Sequence, residues 1–289
     1  MVPYLTSLLI ALLSSSSQHS LVTETARWST KQPPSADLHQ KNRQQVPHLA
    51  FMGGGIFFYW QAGVITYLRE QGYDLSKTTS TGASAGALAA TLTACDVDFY
   101  KATDAALGMA KEAGVWKRSK GLQGIWGPMI RDWLDMLLPE DAATRMTQRG
   151  TSLLVTAVPQ FFEKRRVSTF EDRNDLIDCN MASVHLPWFL DGQWTTTFRK
   201  QKCIDGSFLA NRGHYIPDDN GRRTLFLSHQ RDERYSDQNL LSFVKAVNPD
   251  GIYELIEDGK KYASMMEEQG KLQNICKVDA TEMASSRTV

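Results

Sequence analysis

Short apolar runs alternate along this chain with stretches in which apolar residues return every three or four positions. His48-Leu49-Ala50-Phe51-Met52 predicts a strand over 48–52, and Ala62, Val64, Ile65 and Leu68 predict a helix over 60–71. Lys77-Thr78-Thr79-Ser80-Thr81 is rich in β-branched residues and predicts a second strand. Ala85 to Ala94 is apolar all round and predicts a buried helix. Helices are expected between 97 and 148, strands at 151–158 and near 165–170, and a helix near 172–181. A strand at 224–228, a helix near 238–246 and an amphipathic helix over 250–269 complete the pattern. Strands alternating with helices predict a three-layer α/β/α fold with a mostly parallel central sheet. Ligands in such folds bind at the carboxyl ends of the strands.

Two glycine clusters fall at those ends. Gly82-Ala83-Ser84-Ala85-Gly86 stands between the second strand and the buried helix, where a G-x-S-x-G turn pushes a serine hydroxyl clear of the backbone. The helix N-terminus behind it favours developing negative charge. The bland alternative is a small-residue turn that packs a helix on a sheet. Gly53-Gly54-Gly55 follows the first strand. Bare glycine amides can turn toward an oxyanion, as a tetrahedral intermediate requires. A dinucleotide loop is the competing reading, but G-x-G-x-x-G would need a third glycine where Phe58 stands.

A serine nucleophile needs a base. Cys203-Ile204-Asp205-Gly206-Ser207 supplies a carboxylate, although aspartate before glycine is in most proteins only a turn. Taken in order, the glycine triplet, the serine elbow and Asp205-Gly206 resemble the patatin-like phospholipase family. Ser152-Leu153-Leu154-Val155-Thr156 is similar to that family's central strand, and Ala182-Ser183-Val184-His185-Leu186-Pro187 to its A-S-x-x-x-P segment. The resemblance covers roughly residues 47 to 230. It implies a patatin-like fold and a Ser–Asp dyad acting without metal or organic cofactor. Ser84 would attack the acyl carbonyl of a lipid ester, and Asp205 would take its proton and later activate water. The amides of Gly53, Gly54 and Gly55 would hold the oxyanion. The expected partners are a lipid acyl ester and, transiently, a membrane or lipid-droplet surface. Two positions depart from the pattern. The basic residue and further glycine often found after the triplet are replaced by Ile56-Phe57-Phe58-Tyr59-Trp60, and Ser207 stands where a glycine or alanine is usual.

An α/β-hydrolase with a Ser-Asp-His order competes with the dyad, with His214 or His229 as its base. His214 falls in a loop, His229 at the end of a strand, and His185 reads as packing. A lipid-binding member without catalysis is the third alternative. Ile130, Trp133, Leu134 and Leu137 recur at helical spacing and suit either an interfacial lid or an ordinary helix covering the core, the latter being preferred. Phe57 to Trp60 suit an acyl-chain tunnel or plain packing. Lys164-Arg165-Arg166 suits lipid headgroups or, preferably, a solvated loop face.

The 289 residues suffice for one large core with a small appendage. With 32 basic and 32 acidic residues, nothing recommends a nucleic-acid partner. Cys95, Cys179, Cys203 and Cys276 are scattered and suggest neither a disulfide framework nor a metal site. The apolar run from Leu5 to Leu13 marks residues 1–22 as a candidate secretory or organellar targeting segment. Residues 23–46 read as a polar linker, 47–230 as the catalytic domain, 231–275 as its C-terminal helical part and 276–289 as a disordered tail.

Overall fold

The computed structural model describes residues 46–158, 162–217, 223–236 and 247–278. The proposed targeting segment, the linker up to residue 45 and the helix expected near 238–246 lie outside them, as does most of the tail. Strands β1 (His48–Phe51), β2 (Thr79–Ala83), β3 (Thr151–Ala157), β4 (Glu163–Val167), β5 (Thr196–Phe198), β6 (Gln201–Ile204) and β7 (Thr224–Leu227) form one sheet. Its order is β5-β6-β3-β2-β1-β7, with β4 pairing β3. The pairs β1–β2, β1–β7 and β2–β3 are parallel. β6 runs against β3 and β5 against β6, so five of the seven strands point the same way. The mostly parallel α/β fold is thus as expected.

β1 and β3 are buried at every residue, because inner parallel strands are covered on both faces. Between the strands run α1 (Phe58–Glu70), α2 (Ala85–Ala94), α3 (Phe99–Glu112), α4 (Trp126–Leu137), α5 (Ala142–Gln148) and α6 (Arg173–Ser183). A four-residue α7 (Arg212–Tyr215) and α8 (Pro249–Glu268) follow. Side-chain caps set several starts. Asp98 accepts the amides of Tyr100 and Lys101 for α3, and Asn248 accepts that of Gly251 for α8, with Pro249 just inside it.

α2 is buried at every residue, since Gly82 and Gly86 let it press onto the sheet. A Cβ on Gly82 would stand 2.2 Å from the Gly86 carbonyl oxygen, and one on Gly86 would stand 2.1 Å from that of Phe51. α8 crosses α1 in the same way, with Gly63 against the Ile256 carbonyl and Gly259 against that of Trp60. Lys260 and Glu70 close the crossing with a 2.9 Å ion pair.

Several boundaries differ from the sequence reading. The second strand starts at Thr79 because Leu75–Lys77 forms a 3-10 turn capped by Asp74, and it runs on through Gly82 and Ala83 into the elbow. The fourth strand ends at Val167 rather than near 170. β5 and β6 were not foreseen. The His214 segment is a short helix rather than a loop. Cys276 and Lys277, read as the start of the tail, are held. The Asp74 amide donates to the Cys276 carbonyl at 2.7 Å, and Lys277 bridges Tyr73. Cys95, Cys179 and Cys203 are buried free thiols.

Candidate active site

Ser84 stands at the carboxyl end of β2 as the residue before α2, with φ 55° and ψ −132°. A non-glycine residue with such a φ costs about 1–3 kcal/mol and persists only where its surroundings fix it. Here the Ser84 amide donates to Ser183 Oγ at 3.0 Å, and that hydroxyl donates to the Leu154 carbonyl at 2.7 Å. Ser183 thus links the elbow to β3. The sequence reading placed it in the A-S-x-x-x-P segment without seeing this role.

Asp205 follows β6. Its amide donates to the His185 carbonyl at 2.9 Å, and the Gly206 amide to the Ser183 carbonyl at 2.8 Å. A Cβ on Gly206 would stand 1.9 Å from the Leu154 carbonyl oxygen, so only glycine lets this turn lie against β3. The Asp205 carboxylate is 2% exposed. Its Oδ1 accepts the Ser207 amide at 2.8 Å and hydroxyl at 2.5 Å. Its Oδ2 is buried and has no partner among the described residues. Burial raises the pKa of this carboxyl, against the lowering effects of Ser207, Ser84 and Lys164. The Ser84 side chain is thus close enough to this carboxyl to act on its ionisation.

The glycine triplet borders both groups. A Cβ on Gly53 would meet Ser207 Cβ at 2.7 Å and Ser84 Cβ at 3.2 Å. The Gly53 amide faces the buried Tyr215 phenol. Among the described residues, the amides of Gly54 and Gly55 donate to nothing. Gln61 holds the base of this loop, donating to the carbonyls of Met52 at 2.7 Å and Leu227 at 3.0 Å.

An apolar cleft opens from Ser84 and Gly55, with Leu88, Met109, Trp126 and Trp133 among its walls. Its space measures about 1020 Å³, open solvent at the mouth included. The aromatic run divides. Phe58 and Tyr59 line the cleft, Phe57 stacks on His229 at 3.7 Å, and Trp60 donates its indole N–H to Asp232 at 2.9 Å. α4 covers the core as preferred, with Ile130, Trp133 and Leu134 buried, and Trp126, Met129, Ile130 and Trp133 also wall the cleft.

The histidines stand differently. The His229 ring lies against Gly54, and a Cβ there would meet its ring atoms at 3.0 Å. Burial drives its pKa down to about 4. The nearby Asp232 carboxylate is occupied by Trp60 and Arg234 rather than by this ring. His214 Nδ1 accepts the Asn211 amide at 3.0 Å in a helix cap. His185 is buried as packing, although its Nε2 has no partner among the described residues. The basic run also divides. Lys164 turns inward, Arg165 pairs with Glu163 at 3.0 Å, and Arg166 donates to the His214 and Ile216 carbonyls at 2.7 Å. No helix of the described residues is long and apolar enough to cross a membrane.

A mostly parallel α/β sheet that presents a strained serine elbow, a buried carboxylate and an apolar cleft at one edge defines the class of protein. The chain belongs to the patatin-like phospholipase family, whose profile matches residues 49–217. It is 28% identical over 176 residues to the omega-hydroxyceramide transacylase of Mus musculus, covering 59% of this chain and 28% of that protein. The Homo sapiens protein of the same name is 26% identical over 176 residues, covering 59% of this chain and 32% of the relative. The chain therefore matches under a third of the length of these relatives. Among solved structures it is similar to VipD from Legionella pneumophila, with a TM-score of 0.33, 12% identity, and coverage of 64% of this chain and 50% of that one.

Proposed function

We propose that the protein is a serine lipid acyl hydrolase that cleaves acyl esters of membrane or storage lipids. The observation that carries this reading is the buried, unpartnered Oδ2 of Asp205 beside Ser84 at the head of the apolar cleft. Asp205 accepts the hydroxyl proton as Ser84 Oγ bonds to the acyl carbon. The carbonyl π pair moves to oxygen, and the amides of the Gly53–Gly55 loop stabilise that charge, those of Gly54 and Gly55 being unengaged. Collapse expels the lipid alcohol, which leaves with the proton from Asp205. Asp205 then takes a proton from water as the water oxygen bonds to the acyl carbon; collapse breaks the bond to Ser84 Oγ, which recovers that proton from Asp205, and the fatty acid leaves. A carboxylate with a raised pKa is the better base for this work. The lipid presents itself at a membrane or droplet surface, and its chain enters the cleft between α3 and α4.

The experiment is labelling by a fluorophosphonate, with the adduct mapped in wild type, Ser84→Ala, Asp205→Asn and His229→Ala. The dyad requires a Ser84 adduct that is lost in Asp205→Asn and kept in His229→Ala. Loss in His229→Ala instead would establish the triad esterase. No adduct in any folded variant would leave a lipid-binding protein.

A second reading keeps the same acyl-enzyme but resolves it with an alcohol in place of water. The relatives' description as transacylases favours it. Incubation of the protein with a radiolabelled acyl donor and a long-chain alcohol separates the two, since only transfer yields a new ester.

A further inference from the structure

Lys164 is read from sequence as part of a basic run, yet its side chain points into the protein. Its amino group donates to Thr156 Oγ1 at 2.5 Å, to the Gly206 carbonyl at 2.9 Å, and to the Phe208 carbonyl. Thr156 in turn donates its hydroxyl to the Asp205 carbonyl at 2.8 Å. Three carbonyls of the turn that carries Asp205 are therefore gathered by one ammonium and one hydroxyl, from β4 and β3 respectively. Every direct acceptor of this cation is neutral. Its charge is felt by Asp205, whose carboxyl it lowers, and by His214 on α7. Arg166, two residues along β4 on the same face, is the other cation beside His214.

We propose that Lys164 is a positioning residue for Asp205: its ammonium pins the turn that presents the carboxylate to Ser84. The inference rests on the dyad reading of the site. Without the ammonium, the Gly206 and Phe208 carbonyls lose their shared donor and the turn is free to shift. A displacement of about 1 Å at a reacting group can cost roughly a hundredfold in rate. Burial lowers the Lys164 pKa to about 8, with Asp205 opposing. The ammonium is thus complete well below that pH and lost as pH rises through it. An alkaline decline follows that does not arise from Asp205, which is more fully ionised as pH rises.

The test is the pH profile of kcat/KM for a soluble acyl ester, with Ser84 labelling rates, in wild type, Lys164→Met, Lys164→Arg and Thr156→Val. Wild type is expected to lose activity above about pH 8. Lys164→Met is expected to lose tenfold or more in kcat with little change in KM, because Lys164 does not line the cleft. Lys164→Arg, charged throughout, is expected to keep more activity and to lack the alkaline decline. Thr156→Val keeps the cation and should keep the decline at lower kcat. An alkaline decline that persists in Lys164→Arg, or full activity in Lys164→Met, overturns the inference. Should Lys164→Met not fold, Lys164→Arg decides alone. Asp205→Asn separates the two failures. If it retains labelling, the dyad falls. If it loses labelling while the Lys164 variants behave as wild type, only the role of Lys164 falls.

Discussion

Ser207 donates both its amide, at 2.8 Å, and its hydroxyl, at 2.5 Å, to the same oxygen of Asp205. The other oxygen is buried and has no partner among the described residues. A hydrogen bond to the charged form of a carboxyl holds its pKa down and fixes its rotamer. In Ser207→Ala the hydroxyl donor is gone and the amide donor stays. The acidic limb of the kcat/KM profile should then move to higher pH, because Asp205 must be ionised to act as a base. On that acidic limb the variant should be less active than wild type at the same pH, with the two converging at higher pH. A pH titration of wild type and variant on one ester reads this directly, and an unmoved limb would deny Ser207 any influence on the carboxylate.

His229 is stacked on Phe57 and pressed against Gly54. With its pKa down at about 4, the ring is neutral across the working range. His229→Ala should therefore leave the pH profile in place. It should lower stability by about 1 kcal/mol through lost aromatic packing. Denaturant unfolding monitored beside the pH profile checks both halves of this statement.

Gly86 of the elbow and Gly206 of the Asp205 turn tolerate no methyl group. Gly86→Ala would drive a Cβ to 2.1 Å from the Phe51 carbonyl oxygen, and Gly206→Ala to 1.9 Å from that of Leu154. Both contacts are with backbone, which cannot rotate aside. Each change should cost more than about 3 kcal/mol or prevent soluble expression. Thermal unfolding of each single variant measures it. Gly108→Ala serves as the control, since a Cβ there meets nothing within 4 Å.

Ala106 lines the cleft from α3, facing the wall made by Trp126, Ile130 and Trp133 of α4. Ala106→Trp should occupy space an acyl chain would take. The expected result is about a tenfold loss in kcat/KM on a palmitoyl ester, with a butyryl ester much less affected. Equal losses on both would place the chain elsewhere.

The central part of the fold was legible because its signals are local. Buried parallel strands leave apolar runs such as Leu49-Ala50-Phe51, and close helix–sheet contact leaves glycine and alanine, as in α2. β5 and β6 leave neither signal. They are short, and Gln201, Lys202 and Thr197 are exposed, so no run or clear alternation marks them. The motifs pointed to Ser84 and Asp205, and the fold places both at one end of the sheet, after β2 and β6. Lys164 was not legible, because three consecutive cations look alike in sequence. Only the pairing of β4 with β3 determines that the first faces Thr156 and the Asp205 turn. Ser183 and Gln61 were hidden for a related reason. Their partners, Ser84, Leu154, Met52 and Leu227, are distant in the chain.

The Gly63–Gly259 crossing gives the last helix a standing that its distance from the motifs conceals. α1 begins where the glycine loop ends, and its outer face is closed by α8, backbone against backbone. The family match stops at residue 217, before β7 and α8 begin. A fragment cut at that boundary would contain every motif and yet expose a strand edge and a bare helix face directly behind the loop. Such a fragment is therefore expected to unfold more readily than one that runs on through α8.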